Sequence, residues 1–505
     1  YLKNILMQNR ELRFNKEKFT NIKVQLILIL LLGFILRFYH IDRYGIWGDE
    51  ESSILTANGQ YYDINSLPKV FDNHFLQNEN TVKNVVKGVT SEKVDFLSNN
   101  YGNFLFYDIM LHYWVKIFGN SDLSVRLLSL LFGLLLIILS YKVSLLLSNN
   151  KKLSLLIAFL VAIHPLFIAY SQEARAYTTA TFFSLLSSYF FFKIVFKKDK
   201  RSKIFIFYSL SVVIAMLSHY LTYTIFISHA IIFILFVRDR ASWQKYSLAV
   251  LCSLTLFSIW LYFGGFEGLK NLASNAPLFE EEVKNYELTK KIYFMPATFK
   301  NIIAACIQDW LWFFGIGLQN LGLQIRYIAL LLIIPLGMVI YLLKKIKNDK
   351  NTIQIIISLL ILIFTQTFLA IALSINSGNI ILFQNLYTNF VVPYAMILLG
   401  YSLFNLFENQ NKKLISYGAT SFFVIIMLIS CIPIYFKNEN SKFPEQNIHY
   451  EIAQNIKSTY NKNDTILIKS PYDARLINLY LDNDNLYIQK IDTNLPSMYL
   501  IKKNY

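Results

Sequence analysis

Apolar runs long enough to cross a bilayer recur from one end of this chain to the other, and no other feature limits its fold so sharply. They lie near residues 22–39, 122–147, 153–170, 176–196, 204–221, 223–237, 247–264, 326–343, 353–375, 390–407 and 414–436, which predicts about eleven transmembrane helices. A soluble core cannot absorb this much apolar surface. Of the 505 residues 55% are hydrophobic and only 16% are charged, against about a quarter charged in soluble domains, so the surplus has to face lipid. The expected fold is an all-α polytopic membrane protein. A formal net charge of +16 would suit nucleic acid, but the Lys and Arg residues fall in short clusters between apolar runs. No nucleic-acid partner is expected. Cys252, Cys306 and Cys431 lie far apart in or near apolar stretches, with neither metal spacing nor a disulfide framework.

The connectors alternate in character. One set is basic: the N-terminal segment with Arg10, Arg13, Lys16, Lys18 and Lys23, then Lys151-Lys152, the KKDKRSK run at 197–203, Arg238, Arg240 and Lys245, Lys344, Lys345 and Lys347, and Lys412-Lys413. The other set, 40–121, 171–175, 265–325 and 376–389, is neutral or acidic. The positive-inside rule puts the basic set in the cytoplasm, and every basic connector falls on one side when the spans are counted alternately. The chain is therefore expected in the inner (plasma) membrane, N-terminus cytoplasmic and C-terminus extracytoplasmic. No small-residue cleavage site follows the first apolar run, which reads as an uncleaved span.

Two outer loops are long. Within 40–121, the segment YGNFLFYDIMLHYWVKIFG is too polar for a span and predicts an amphipathic helix lying at the interface. The loop 265–325 holds EEEVKNYELTKK and then the aromatic stretch DWLWFFGIG. From about 441 the composition turns polar, and TILIKS (465–470) and LYIQKI (486–491) alternate like short strands around a helix-like 472–481. The expected organisation is a transmembrane domain over 1–436, whose first outer loop 40–121 carries the chemistry, and a small extracytoplasmic α/β domain over 437–505.

Three adjacent carboxylates, Asp49, Glu50 and Glu51 in GIWGDEESS, follow the first span closely. Acids at a membrane surface are costly to desolvate unless they have work or partners. One of them can serve as a general base, or all three can favour the dipole of a helix N-terminus. A second constellation, AYSQEARAYTT at 169–179, puts Glu173, Arg175 and Tyr177 in one short turn. An Arg there can hold a lipid phosphate bidentately, or pair with Glu173 to close a tight hairpin. His219, in Ser218-His219-Tyr220, either donates to a phosphate oxygen or caps a helix. Arg37 and Arg126 sit at span ends, where snorkelling is their default. A P-loop, GxGxxG, HExxH or Cys/His cluster is absent from the sequence, which weighs against an ATP-driven pump, a soluble nucleotide-sugar enzyme and a metalloprotease. The motifs specify no cofactor and leave a divalent-metal requirement undetermined.

In order, LRFYHIDRYGIWGDEES, NFLFYDIMLHYWVKIFGNSDLSVRLLSLLFG, HPLFIAYSQEARAY and LSHY resemble the bacterial relatives of the dolichyl-phosphate-mannose protein mannosyltransferases. The lipid A aminoarabinose transferases belong to the same membrane glycosyltransferase class, GT-C. The resemblance runs from residue 22 to about 240 and is architectural thereafter. It covers the acidic pair Asp49-Glu50, Arg37 at the end of the first span, Arg126 in R-L-x-S-x-L-F-G and the Ser171–Tyr177 turn. Two departures stand out. Relatives often have H-P-P-L where this chain has N-Y-G-N-F (100–104), and an Arg-Tyr pair where it has Asn389-Phe390.

The resemblance implies a polyprenyl-phosphate–sugar donor, used outside the membrane on an acceptor protein, lipid or glycan, with inversion at the anomeric carbon. It makes Asp49 the base. Arg175, with Arg37, Arg126 or His219, would face the phosphate, with Tyr177 in the same turn, and Glu50 or Glu173 would orient the sugar or the cations. Two other classes compete. A flippase of lipid-linked sugars would carry charges at the bilayer midplane on broken spans, whereas here they sit at outer span ends. A non-catalytic scaffold of the same fold would tolerate loss of Asp49.

Overall fold

The computed structural model describes residues 21–43, 45–60, 70–71, 79–90, 101–274, 280–281, 283–285, 295–318, 323–380, 383, 385–409, 412–436, 446–459, 465–468, 477, 480–481, 487–490 and 499–502. Much of the acidic segment 280–291 and most of the expected helix 472–481 lie outside them.

The first helix among the described residues is α1 (Ile22–Phe38), capped by the Asn21 side chain on Lys23 N at 3.0 Å. The loop 40–121 supplies α2 (Gly48–Ala57), β1 (Val70–Phe71), α3 (Val82–Thr90) and α4 (Leu105–Phe118). Then come α5 (Asp122–Ser148), α6 (Lys151–Ala162), α7 (Pro165–Ser171), α8 (Tyr177–Phe196), α9 (Ser202–Ser218), α10 (Tyr223–Phe236) and α11 (Arg240–Trp260), which continues into α12 (Phe266–Ser274). After the loop 265–325, which carries α13 (Phe299–Phe313), follow α14 (Ile333–Lys345), α15 (Lys350–Ser377), α16 (Val392–Glu408) and α17 (Lys413–Phe436). Polar side chains start these helices where the sequence supplies them: Ser121, Asn150, Asp239, Thr298 and Asp349 each accept from a first-turn N–H.

Seven helical runs among the described residues are long and apolar enough to cross a bilayer, or eight if the bent pair α6–α7 forms one span. The three other expected spans coincide with shorter helices, α1, α9 and α10. Helix α16 is central, with Val392 through Leu399 buried against α6, α14 and α17. A Cβ on its Gly400 would come within 2.3 Å of Ile157 Cγ1, so this close helix contact requires glycine. Deeper in the bundle, Ser188 Oγ meets His229 Nε2 at 2.9 Å and Tyr394 OH at 2.6 Å, pinning α8, α10 and α16 together by hydrogen bonds.

The α6–α7 break has a defined cause. Pro165 has no N–H for the Val161 carbonyl, and the axis bends by 57°. Arg37 Nη2 takes up the Val161 carbonyl at 3.2 Å, and its Nη1 the Ala162 and Gly33 carbonyls at 2.7 and 3.0 Å. The bend carries 172–176 over the end of α1, where Gln172 Nε2 donates to the Arg37 and Tyr39 carbonyls at 3.1 and 3.0 Å.

The C-terminal segment folds as α18 (Gln446–Thr459), β2 (Thr465–Ile468), β3 (Tyr487–Lys490) and β4 (Tyr499–Lys502). Strand order is β1-β3-β2-β4. β2 and β3 are parallel, β4 pairs antiparallel with β2, and β3 pairs antiparallel with β1 of the loop 40–121 (Val70 opposite Gln489). The sheet is therefore built from both ends of the chain.

Candidate active site

Gly48, Asp49, Glu50 and Glu51 form the first turn of α2, so all three acids stand at a helix N-terminus, where their charge is favoured. Their surroundings then separate them. The Glu50 carboxylate is fully buried: Oε1 accepts from Arg126 Nε at 2.8 Å and from Ala174 N at 2.7 Å, and Oε2 accepts from Arg126 Nη2 at 2.7 Å. Arg126, itself 2% exposed, also holds the Ile41 and Gly45 carbonyls at 2.9 and 3.0 Å. Glu51 is 1% exposed. Asp49 is the accessible one, its side chain 21% exposed.

Arg175 faces Asp49. Its Nη2 lies 3.5 Å from Asp49 Oδ2, and Nη1 donates to the Asp49 carbonyl and to Ser53 Oγ, both at 2.9 Å. The guanidinium carbon sits 4.4 Å from the Phe104 ring centroid and 5.8 Å from that of Tyr177. The Arg175 backbone is fixed from behind by Ser129 Oγ on its carbonyl at 3.1 Å, with Tyr107 OH on Ser129 at 3.0 Å. Burial weakens the charged form of Arg175, but Asp49, Tyr177 and the buried Asp108 more than offset it and raise its pKa. The Glu173–Arg175 pairing open from the sequence gives way to Asp49–Arg175. Glu173 lies in the same turn, its carbonyl accepting from Arg175 N at 2.8 Å.

His219 closes the site. Its ring lies 5.2 Å from Phe104, 5.1 Å from Phe390 and 5.9 Å from Tyr387. Nδ1 accepts from Leu221 N at 3.2 Å, which is the cap expected of it. Burial first, then the charge of Arg175, pulls its pKa down to about 3. The imidazole is therefore neutral with its proton on Nε2, a buried donor without an acceptor among the described residues. Tyr177, 1% exposed, begins α8 with its ring 6.2 Å from Phe104 and 4.9 Å from Tyr170.

Asp49, Glu173, Arg175, Tyr177 and His219 thus share one end of the bundle. Three other expected site residues have different tasks. Glu50 and Arg126 consume each other as a buried bidentate pair, so neither offers a free charge to a substrate. Arg37 directs Nη1 and Nη2 to the Gly33, Ala162 and Val161 carbonyls at the α6 break. Phe104, between Arg175 and His219, and Asp108 were not singled out from the sequence. The signal lay in the unusual N-Y-G-N-F, where Tyr101 and Phe104 hold left-handed backbone angles (φ 47° and 70°). Gly102 in that turn (φ +81°) admits no Cβ, which would come 2.5 Å from Tyr220 OH. At the second departure, Asn389 Oδ1 accepts from Thr181 at 2.6 Å and Phe390 packs on His219. No three His, Cys, Asp or Glu side chains converge into a metal cage among the described residues.

The family model described as dolichyl-phosphate-mannose-protein mannosyltransferase matches residues 105–263. No curated protein matches the sequence. Among solved structures, the archaeal oligosaccharyltransferase AglB of Archaeoglobus fulgidus, in complex with an inhibitory peptide and a dolichol-phosphate, is similar with a TM-score of 0.51 at 11% identity, over 91% of this chain and 59% of that one. The apo form of the oligosaccharyltransferase of Archaeoglobus fulgidus gives a TM-score of 0.50 at 12% identity, over 91% and 60%. ArnT of Cupriavidus metallidurans gives 0.39 at 13%, over 91% and 84%. The chain spans about six tenths of the archaeal oligosaccharyltransferase it matches. It is a multi-pass membrane protein that shares the fold of the archaeal oligosaccharyltransferase of Archaeoglobus fulgidus, and its residues 105–263 match the family model of the dolichyl-phosphate-mannose-protein mannosyltransferases.

Proposed function

We propose that the chain transfers a sugar from a polyprenyl-phosphate donor to an acceptor protein, lipid or glycan at the extracytoplasmic face of the plasma membrane, inverting the anomeric carbon. The observation that carries this reading is the contrast within the acidic triplet. Two carboxylates are sealed in the protein, while Asp49 alone is accessible and lies against a cation whose aromatic surroundings also hold a neutral His donor.

In the proposed reaction the Asp49 carboxylate takes the proton from the acceptor nucleophile as that atom bonds to the anomeric carbon. The bond from that carbon to the phosphate oxygen breaks on the opposite face. The phosphate leaves with the electron pair as a phosphomonoester, its charge growing from −1 towards −2. Arg175 and the His219 Nε2–H are the groups fit to face that growing charge, and a fixed donor stabilises the transition state more than the ground state. Glu50 and Arg126 act as positioning residues that fix the α2 N-terminus.

Purified protein in lipid nanodiscs tests this with polyprenyl-phosphate sugars and, separately, with UDP- or GDP-sugars. Turnover is expected with the lipid-linked donor only. Asp49→Asn should lower it by about 10²–10⁴-fold, the usual size of general-base loss. Full activity with a soluble nucleotide sugar and no lipid carrier would sink the donor class. Normal transfer by Asp49→Asn would remove the base and favour a scaffold.

A further inference from the structure

The side chain of Tyr480 links the C-terminal segment to the site. Tyr480 OH accepts from Ile46 N at 2.5 Å and donates to Asp122 Oδ2 at 3.1 Å. Ile46, 2% exposed, lies three residues before Asp49. Asp122 lies four residues before Arg126, hence one turn away on the same face of α5. Two successive turns of α5 therefore grip the two sides of Asp49. Arg126 holds Glu50 just after it, and Asp122, through Tyr480, holds Ile46 just before it.

Tyr480 is itself anchored. Its ring stands edge-on to Tyr450 of α18 at 5.0 Å, and Ile477 and Leu481 on either side are buried. Burial, then the neighbouring Asp122 charge, raises the pKa of the phenol and keeps it protonated as a donor. The β1–β3 pairing ties the same loop to the same segment a second time. A buried amide such as Ile46 N needs an acceptor, and Tyr480 is the one that meets it.

We infer that the C-terminal segment is a clamp on the Asp49 loop, with Tyr480 as a positioning residue for the reaction. The catalytic consequence rests on the reading of Asp49 as base, whereas the clamp itself does not. Tyr480→Phe keeps the ring and its edge-on contact with Tyr450 and removes only the two hydrogen bonds. Because a displacement near 1 Å can cost about 10²-fold in rate, kcat of the folded protein should fall about tenfold, with donor KM within about twofold and the melting temperature lower by roughly 2–10 °C, the cost of leaving the Ile46 amide unpaired. Asp122→Asn, which keeps the acceptor oxygen and loses its charge, should give a smaller loss, about threefold.

Hydrogen exchange of peptides covering 41–50 reads the clamp without any turnover. In Tyr480→Phe the Ile46 amide should exchange at least about tenfold faster. Unchanged exchange overturns the clamp. Faster exchange with wild-type kcat, in a preparation where Asp49→Asn is inactive, overturns the positioning role. If Asp49→Asn is fully active as well, the base assignment has failed, and the exchange result still decides the clamp. A purely structural role for Tyr480 would lower the yield of folded protein and leave kcat of the folded fraction unchanged, which also counts against positioning.

Discussion

Replacing Glu50 by Gln is the perturbation that best separates a residue that builds the site from one that reacts in it. The Glu50 carboxylate accepts three short hydrogen bonds, from Arg126 Nε (2.8 Å), Arg126 Nη2 (2.7 Å) and Ala174 N (2.7 Å). A Gln side chain offers one acceptor oxygen and turns an NH₂ toward a group that is already a donor. The guanidinium, 2% exposed, is left without its counter-charge. Breaking a buried pair from one side typically costs about 3–5 kcal/mol. At roughly 2–4 °C per kcal/mol for a chain of a few hundred residues, Tm should fall by roughly 6–20 °C. Asp49→Asn removes a carboxylate that is 21% exposed and 3.5 Å from a guanidinium that keeps the Asp49 carbonyl, Ser53 Oγ and the Phe104 ring, so its cost should fall well below that of Glu50→Gln. That variant should melt closer to wild type while losing turnover. Thermal unfolding in detergent micelles, measured beside turnover of the same preparations, reads both quantities. A Glu50→Gln protein with wild-type Tm and abolished turnover would refute the division of labour, because Glu50 would then be the carboxylate that meets substrate.

Further outcomes follow from the same geometry. Arg175→Ala should lower turnover about 10²-fold with Lys restoring part of it, since a point charge keeps the attraction but not the planar fork; normal turnover in Arg175→Ala would remove it from the site. Since burial holds the pKa of His219 near 3, below the unfolded value of about 6.5, the unfolded chain binds the extra proton first. The stability this contributes is complete above about pH 6.5 and is lost as pH falls toward 3. His219→Asn should flatten that part of a Tm-against-pH curve, and an unchanged slope would show that His219 is not the source. Reporters fused after Lys347 and after Tyr505 should be active in the cytoplasm and outside it respectively, and a cytoplasmic C-terminal reporter would mean a span count wrong by an odd number.

The bundle was legible because lipid imposes one rule on every span: a run of apolar residues long enough to cross it. Each expected span coincides with a helix, and the caps at Asn21, Ser121, Asn150 and Asp349 are visible in the sequence. The Asp49 and Arg175 strings were legible as candidates, since charges beside a membrane need a reason. Their partners were not. Glu50 and Arg126 look as available as Asp49 and Arg175 in sequence, and only burial tells the two pairs apart. Arg37 was read as facing outward because nothing local reveals that its acceptors are carbonyls on a helix far along the chain. Phe104 was hidden because aromatic residues in interfacial segments are common and need no special task. Long-range pairing also concealed β1, whose two residues acquire a strand partner only from β3.

The kink before Pro165 and the guanidinium beneath it form a defect and its remedy, carried on separate helices. Proline leaves carbonyls without donors in a medium where each costs several kcal/mol, and Arg37 supplies the hydrogens that the α6 backbone cannot. Losing the arginine alone would strand those oxygens in hydrocarbon. Restoring a straight helix alone would let the backbone reclaim the Val161 oxygen and leave a buried cation short of acceptors. Each residue makes the other indispensable, so mutational drift can pass through this point only by changing both. While the two persist, the bend they share keeps 172–176 turned toward Asp49, and the geometry of the acid–cation pair is inherited with it.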